Sequence, residues 1–293
     1  MKRNKTAVAL VVAIIIVLLA AGGIGAFAQE SHIGNITGHA NGGGQLRPDA
    51  GKQLYRRYCI GCHGPQGDGN GENATWIDPK PRDFTAAVFK CRSTPTGTLP
   101  TDDDLFNSVT RGFITTNMPA WKPLTNHNRA DLVAYIKTYS ARWKTDMPAE
   151  PIVIPPEPAV TIEGILRGRE VYQKVECWKC HGAEGHGDGP SAPTLTDSKN
   201  NPIRPYDFSV GSRFKCGVTN QDLYRIFMTG LDGTPMPSFA DSIMPADAWD
   251  LVHFLRTLQP LKTEEAATWK AWVSSHPGQL QPIGPAAGSS GGQ

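Results

Sequence analysis

Two five-residue stretches have residue types and spacing suited to chemistry. Cys59-Ile60-Gly61-Cys62-His63 and Cys177-Trp178-Lys179-Cys180-His181 each set two thiols three positions apart and follow the second at once with a histidine. On a turn, both thiols can add to the vinyl groups of one haem, and the adjacent imidazole then lies beneath the iron as its proximal ligand. A zinc site would call for more Cys or His close by, and a dithiol redox pair would not require His next to it in both places. Each stretch is therefore expected to hold one covalently attached haem c, the first on Cys59 and Cys62 with His63, the second on Cys177 and Cys180 with His181.

Two such motifs invite a search for a repeat. The offset from Cys59 to Cys177 is 118, and at that offset Asp104-Leu105 matches Asp222-Leu223, Gly112 matches Gly230, and Met118-Pro119 matches Met236-Pro237. Between these anchors the offset drifts to 124 or 125, where Pro81-Arg82-Asp83-Phe84 matches Pro205-Tyr206-Asp207-Phe208 and Phe89-Lys90-Cys91 matches Phe214-Lys215-Cys216. The chain reads as an internal duplication with loop changes. Each copy needs helices to position its motif. Gly51, Leu54, Tyr55 and Tyr58 fall on one helical face before the first cysteines, and Leu132, Val133, Tyr135, Ile136 and Tyr139 form a closing stripe. The second copy repeats this with Gly168, Val171, Tyr172 and Val175, then Trp249, Leu251, Val252, Phe254 and Leu255. Gly51 and Gly168, each four residues before a Tyr, would let two helices cross closely.

Residues 2–5 carry three positive charges, Ala7 to Ala21 are unbroken apolar, and Ala26-Phe27-Ala28 has the small-x-small form of a signal-peptidase site. Residues 1–28 are read as an export signal cleaved after Ala28. An uncleaved anchor is the competing reading, since about 20 apolar residues span a bilayer. Either way the remainder lies outside the cytoplasm, in the periplasm. Residues 29–47 read as a flexible leader, 48–145 as the first domain, 146–160 with five prolines as a stiff linker, 161–262 as the second domain, and 263–293 as a largely disordered tail. The formal charge of +2 falls by three to −1 once Lys2, Arg3 and Lys5 are removed, which excludes a polyanion partner such as nucleic acid.

A helix entering C-x-x-C-H, a Gly/Pro-rich stretch, a Met-Pro and a closing helix resemble a class I cytochrome c domain, and two in tandem resemble the dihaem class I cytochromes c of bacterial respiratory chains. The resemblance covers residues 48–142 and 162–260. It implies an all-α fold around each of two haems, axial ligation by His63 with Met118 and by His181 with Met236, and one-electron transfer as the activity. The equal separation of 59 residues from the first haem cysteine to the Met in each copy favours the same methionines over Met147, Met228 and Met244, which have no counterpart in the repeat. His127, His186 and His253 are read as surface or packing residues.

Cys91 and Cys216 remain, at the same place in the repeat. An even remainder in an oxidising compartment suggests a disulfide across a pseudo-symmetric domain interface, worth about 4 to 5 kcal/mol in a chain-entropy account. Two buried unpaired thiols, or ligation of a haem iron by one of them, are the competing readings. Lys90, Arg92, Arg213 and Lys215 flank these cysteines and are candidate neighbours of haem propionates, against ordinary surface charge. The expected function is a carrier of single electrons between periplasmic or membrane-bound redox proteins, with membrane contact only through a retained N-terminal segment. The alternatives are a dihaem enzyme, such as a peroxidase or a thiosulfate-oxidising cytochrome, which would need an open coordination position, and a fixed cytochrome subunit of a larger oxidoreductase complex.

Overall fold

A computed structural model describes residues 46–285 apart from 212, 261 and 262. The export segment, the leader up to residue 45 and the last eight residues lie outside the described residues. Among the described residues the regular structure is helical, apart from one isolated bridge between Thr196 and Pro202.

The first region begins with α1, Pro48–Tyr58, which has proline in its first turn, Asp49 at its positive end and Arg56 and Arg57 at its negative end. One further turn, α2 (Ile60–His63), carries the first motif. Helix α3 (Asp102–Arg111) opens on a reciprocal cap between Thr101 and Asp104, and α4 (Asn126–Lys137) on the Thr125 hydroxyl. A short α5 (Arg142–Thr145) follows. The second region sets out the same order: α6 (Ile162–Lys174), the motif turn α7 (Trp178–His181), α8 (Asn220–Thr229) with a Thr219–Asp222 reciprocal cap, and α9 (Pro245–Thr257).

In each region the helix before the motif crosses the closing helix at a glycine. A Cβ on Gly51 would stand 2.0 Å from the Asp131 carbonyl oxygen, and one on Gly168 would stand 1.9 Å from that of Asp250. The cores on either side are separate. Tyr55, Phe84, Leu105, Phe106, Leu132 and Ile136 are buried in the first, and Ile165, Tyr172, Phe208, Leu223, Trp249 and Phe254 in the second.

The regions are joined by more than chain. Cys91 and Cys216 form a disulfide bond. The buried Arg92 pairs with Asp232 at 2.8 Å, and Lys199 with Asp83 at 2.6 Å. The proline-rich stretch has no helix or strand and is docked at both ends. Ile152 N–H donates to Ser93 O at 2.8 Å, and Glu157 meets His253 Nε2 at 3.1 Å.

One expectation needs correcting. Residues 263–275 are not disordered: α10 (Glu264–Ser275) is capped by Thr263, and its Trp269 packs edge-on against Phe254 of α9. Indoles at Trp269 and Trp272 supply enough apolar surface to hold a helix that the Pro/Gly-rich sequence after it obscures.

Candidate haem site

The motif is held by backbone geometry before any cofactor is considered. His63 N–H donates to Cys59 O at 2.9 Å, so Cys59 to His63 is one helical turn, and Gly64 (φ +78°) ends it. The Tyr55 hydroxyl, from the preceding helix, donates to Gly64 O at 2.8 Å and pins the motif's exit. The second region does the same, with His181 N–H to Cys177 O at 2.9 Å and Tyr172 hydroxyl to Gly182 O at 2.6 Å.

Each motif histidine has its tautomer set from outside the turn. His63 Nδ1 lies 2.9 Å from Arg82 O, and His181 Nδ1 lies 3.0 Å from Tyr206 O. A carbonyl can only accept, so Nδ1 carries the proton and Nε2 keeps its lone pair for a metal. Burial depresses the pKa of both rings, against the opposing pull of those carbonyls, and so favours the neutral imidazole that a metal needs. Phe84 stacks on His63 with centroids 4.5 Å apart, and Phe208 packs against His181 at 5.0 Å.

The methionines sit on matching turns. Phe113 N–H donates to Met118 O at 3.0 Å while Thr116 Oγ1 accepts from Met118 N–H at 3.1 Å; Leu231 and Thr234 hold Met236 in the same way at 3.1 and 3.2 Å. Gly112 (φ +62°) begins the first of these turns, with the Pro119 backbone 2.4 Å from where its Cβ would stand.

In the first region one cavity is lined by Cys59, Cys62, His63 and Met118 together, with Leu105, Val109 and Leu132 among its apolar walls. Two thiols, an imidazole presenting Nε2 and a thioether are a donor set that fits haem c. The Trp121 indole N–H, also on this cavity, is buried without an acceptor. Neither motif is a disulfide, and burial pushes the Cys59 and Cys177 thiols up to about 12. In the second region Met236, Cys177 and Trp178 are partly buried against the same core.

Residues 46–136 match the family described as cytochrome c oxidase, cbb3-type, subunit III, and residues 165–259 match the family described as cytochrome c. A solved chain of the Kuenenia stuttgartiensis reducing HAO-like protein complex is similar at 39% identity and a TM-score of 0.71, over 73% of this chain and 99% of its own. The chain belongs to the cytochrome c family. No curated protein matches this cytochrome, and none of its described helices is long and apolar enough to cross a membrane.

The cytochrome's remaining candidate residues divide. Lys90 and Lys215 line the cavity; Arg92 and Arg213 do not. Arg92 is turned into the interface, where Asp232 and the carbonyls of Phe89 and Thr229 satisfy it, and the exposed Arg213 reaches Ile114 O at 3.4 Å. Arg82 lines the cavity and was missed: its only signal was a place in the repeat where the other copy has Tyr206. Met147 and Met244 are largely exposed. His127 pairs with Asp131, and His186 lies beside Glu184 and Asp207. His253 gathers with Glu157 and Glu265 within 4.8 Å, a cluster already bridged by the Asn220 amide.

Proposed function

We propose that this cytochrome is an exported dihaem electron-transfer subunit of a larger oxidoreductase complex. Its domains span residues 48–145 and 161–262, with one haem c on Cys59 and Cys62 and a second on Cys177 and Cys180. The observation that carries the reading is the likeness to a chain that belongs to a complex, matched over 99% of its length. The equal placement of His, Met and paired thiols in both regions supports two haems.

Bound haem supplies a one-electron ferric/ferrous couple. The protein's own residues do the rest. His63 and His181, held by Arg82 O and Tyr206 O, would each present a fixed nitrogen to an iron. Met118 and Met236 would supply the second ligand to each iron, and a site so filled would leave no position for a substrate and favour transfer over catalysis. The walls are largely apolar, and the disulfide and interface ion pairs tie the two regions together, an arrangement that would keep the reorganisation accompanying a change of charge small. Neither an acid nor a base is needed at the site.

Purification of the chain from its native cells through an affinity tag, followed by gel filtration at moderate salt, tests this. A second redox protein co-eluting in fixed ratio is expected; a lone monomer carrying haem would overturn the subunit reading in favour of a transient carrier.

A further inference from the structure

The first region's cavity has a wall that this region does not supply. Lys215 belongs to the second region, yet it lines the cavity together with Arg82 and Lys90. The disulfide accounts for its position: Lys90 and Lys215 each precede one of the bonded cysteines, so joining Cys91 to Cys216 brings the two lysines to one place.

Three cations are thereby gathered at the edge of one apolar cavity. Their side chains make no hydrogen bond or ion pair among the described residues. The surrounding acids attract them without forming an ion pair with any of the three. Asp83 is committed to Lys199 at 2.6 Å, and Asp197 accepts from the backbone of Lys199 and Asn201. Asp197 and Asp78 attract the set without pairing with it. Burial pushes the Lys90 ammonium down to about 8, with Arg82 and Lys215 adding to the shift, and burial and Arg82 lower Lys215 likewise. An anion joining like charges crowded into a half-buried site relieves their repulsion.

We propose that Lys215 is a binding residue for the carboxylates of the haem held in the first region, so that the second region completes a site whose covalent and axial anchors all lie in the first. The inference rests on haem occupying that cavity. Haem brings two carboxylates to it, and Arg82, Lys90 and Lys215 offer the donors that would receive them. The arrangement is one-sided: where the first copy has Arg82, the second has Tyr206, whose hydroxyl is spent on Gly211 O. A cation held at that haem's carboxylates would oppose the more positive ferric form and so would raise the haem's potential. The same carboxylate chemistry could come from an acidic side chain of a docked partner, and that source would leave the potential of the isolated protein unchanged.

The test is a spectroelectrochemical titration of the full-length, haem-loaded protein beside its Lys215→Gln, Lys215→Met and Lys215→Arg variants. The wave of the first haem is assigned by its displacement in Met118→His. The expected result is a downward shift of that wave in both neutral variants, little change in Lys215→Arg, and an unmoved second wave. Equal shifts of both waves, or no shift in a variant that retains its haem, would overturn the role of Lys215; no shift combined with weakened partner binding would assign the lysine to docking. Absence of covalent haem from the parent protein would instead remove the reading beneath it.

Discussion

Gly51 and Asp131 meet backbone to backbone: the Asp131 carbonyl oxygen lies 2.0 Å from where a Gly51 Cβ would be, closer than any side chain tolerates. The crossing sets α1 against α4, and α1 delivers the first motif. Gly51→Ala therefore forces the helices apart. Overpacking costs about 1–3 kcal/mol or more, against roughly 1 kcal/mol regained in helix propensity. Thermal unfolding should show Gly51→Ala clearly less stable than the parent, while Lys52→Ala on the exposed face stays near it.

Such glycines were legible because a helix crossing is a local demand on one position, and the same holds for the motif turns, the Met-Pro turns and the apolar stripes. What was not legible depends on residues far apart in the chain. Arg92 looked like a cofactor neighbour until its partner, Asp232, arrived from the other region. Arg82 carries no local mark beyond the repeat, and only the fold shows that its carbonyl orients His63 while its side chain lines the cavity. Helix α10 went unread because the Pro/Gly-rich segment after it dominated the composition, although Thr263, Trp269 and Trp272 already had a cap and an apolar edge.

The Cys91–Cys216 bond closes a loop of more than a hundred residues, with a sequence separation of 125. Its removal should cost about 2–5 kcal/mol. Denaturant unfolding of a Cys91→Ser, Cys216→Ser double variant is expected to show this loss with the haem content unchanged. Equal stability of variant and parent would mean the interface ion pairs suffice.

Met118 occupies a turn whose hydrogen bonds run through backbone and Thr116, so its side chain can be shortened without dismantling the turn. Met118→Ala should open one axial position. Carbon monoxide added to the reduced variant is expected to move about half of the Soret intensity, and to leave the parent spectrum unmoved.

Acid should loosen the join between the regions. For Asp83, burial alone would raise its pKa, but Lys199 and Thr85 hold it below its ordinary value, so its stabilising effect is present above the unfolded pKa and lost as the pH falls through the folded one. Within the second region, Asp222, half-buried but held by Arg225 and Thr219, follows the same sign. Stability is expected to fall as the pH drops below about 4. Asp83→Asn should be less stable than the parent at neutral pH and show a flatter acid limb in pH-dependent unfolding.

The most direct measurement is the intact mass of the exported, denatured protein. Two covalent haems on one chain are predicted, with both lost as attachment sites when Cys62 and Cys180 are replaced together with Cys59 and Cys177. A mass showing one haem, or none, would contradict the central claim.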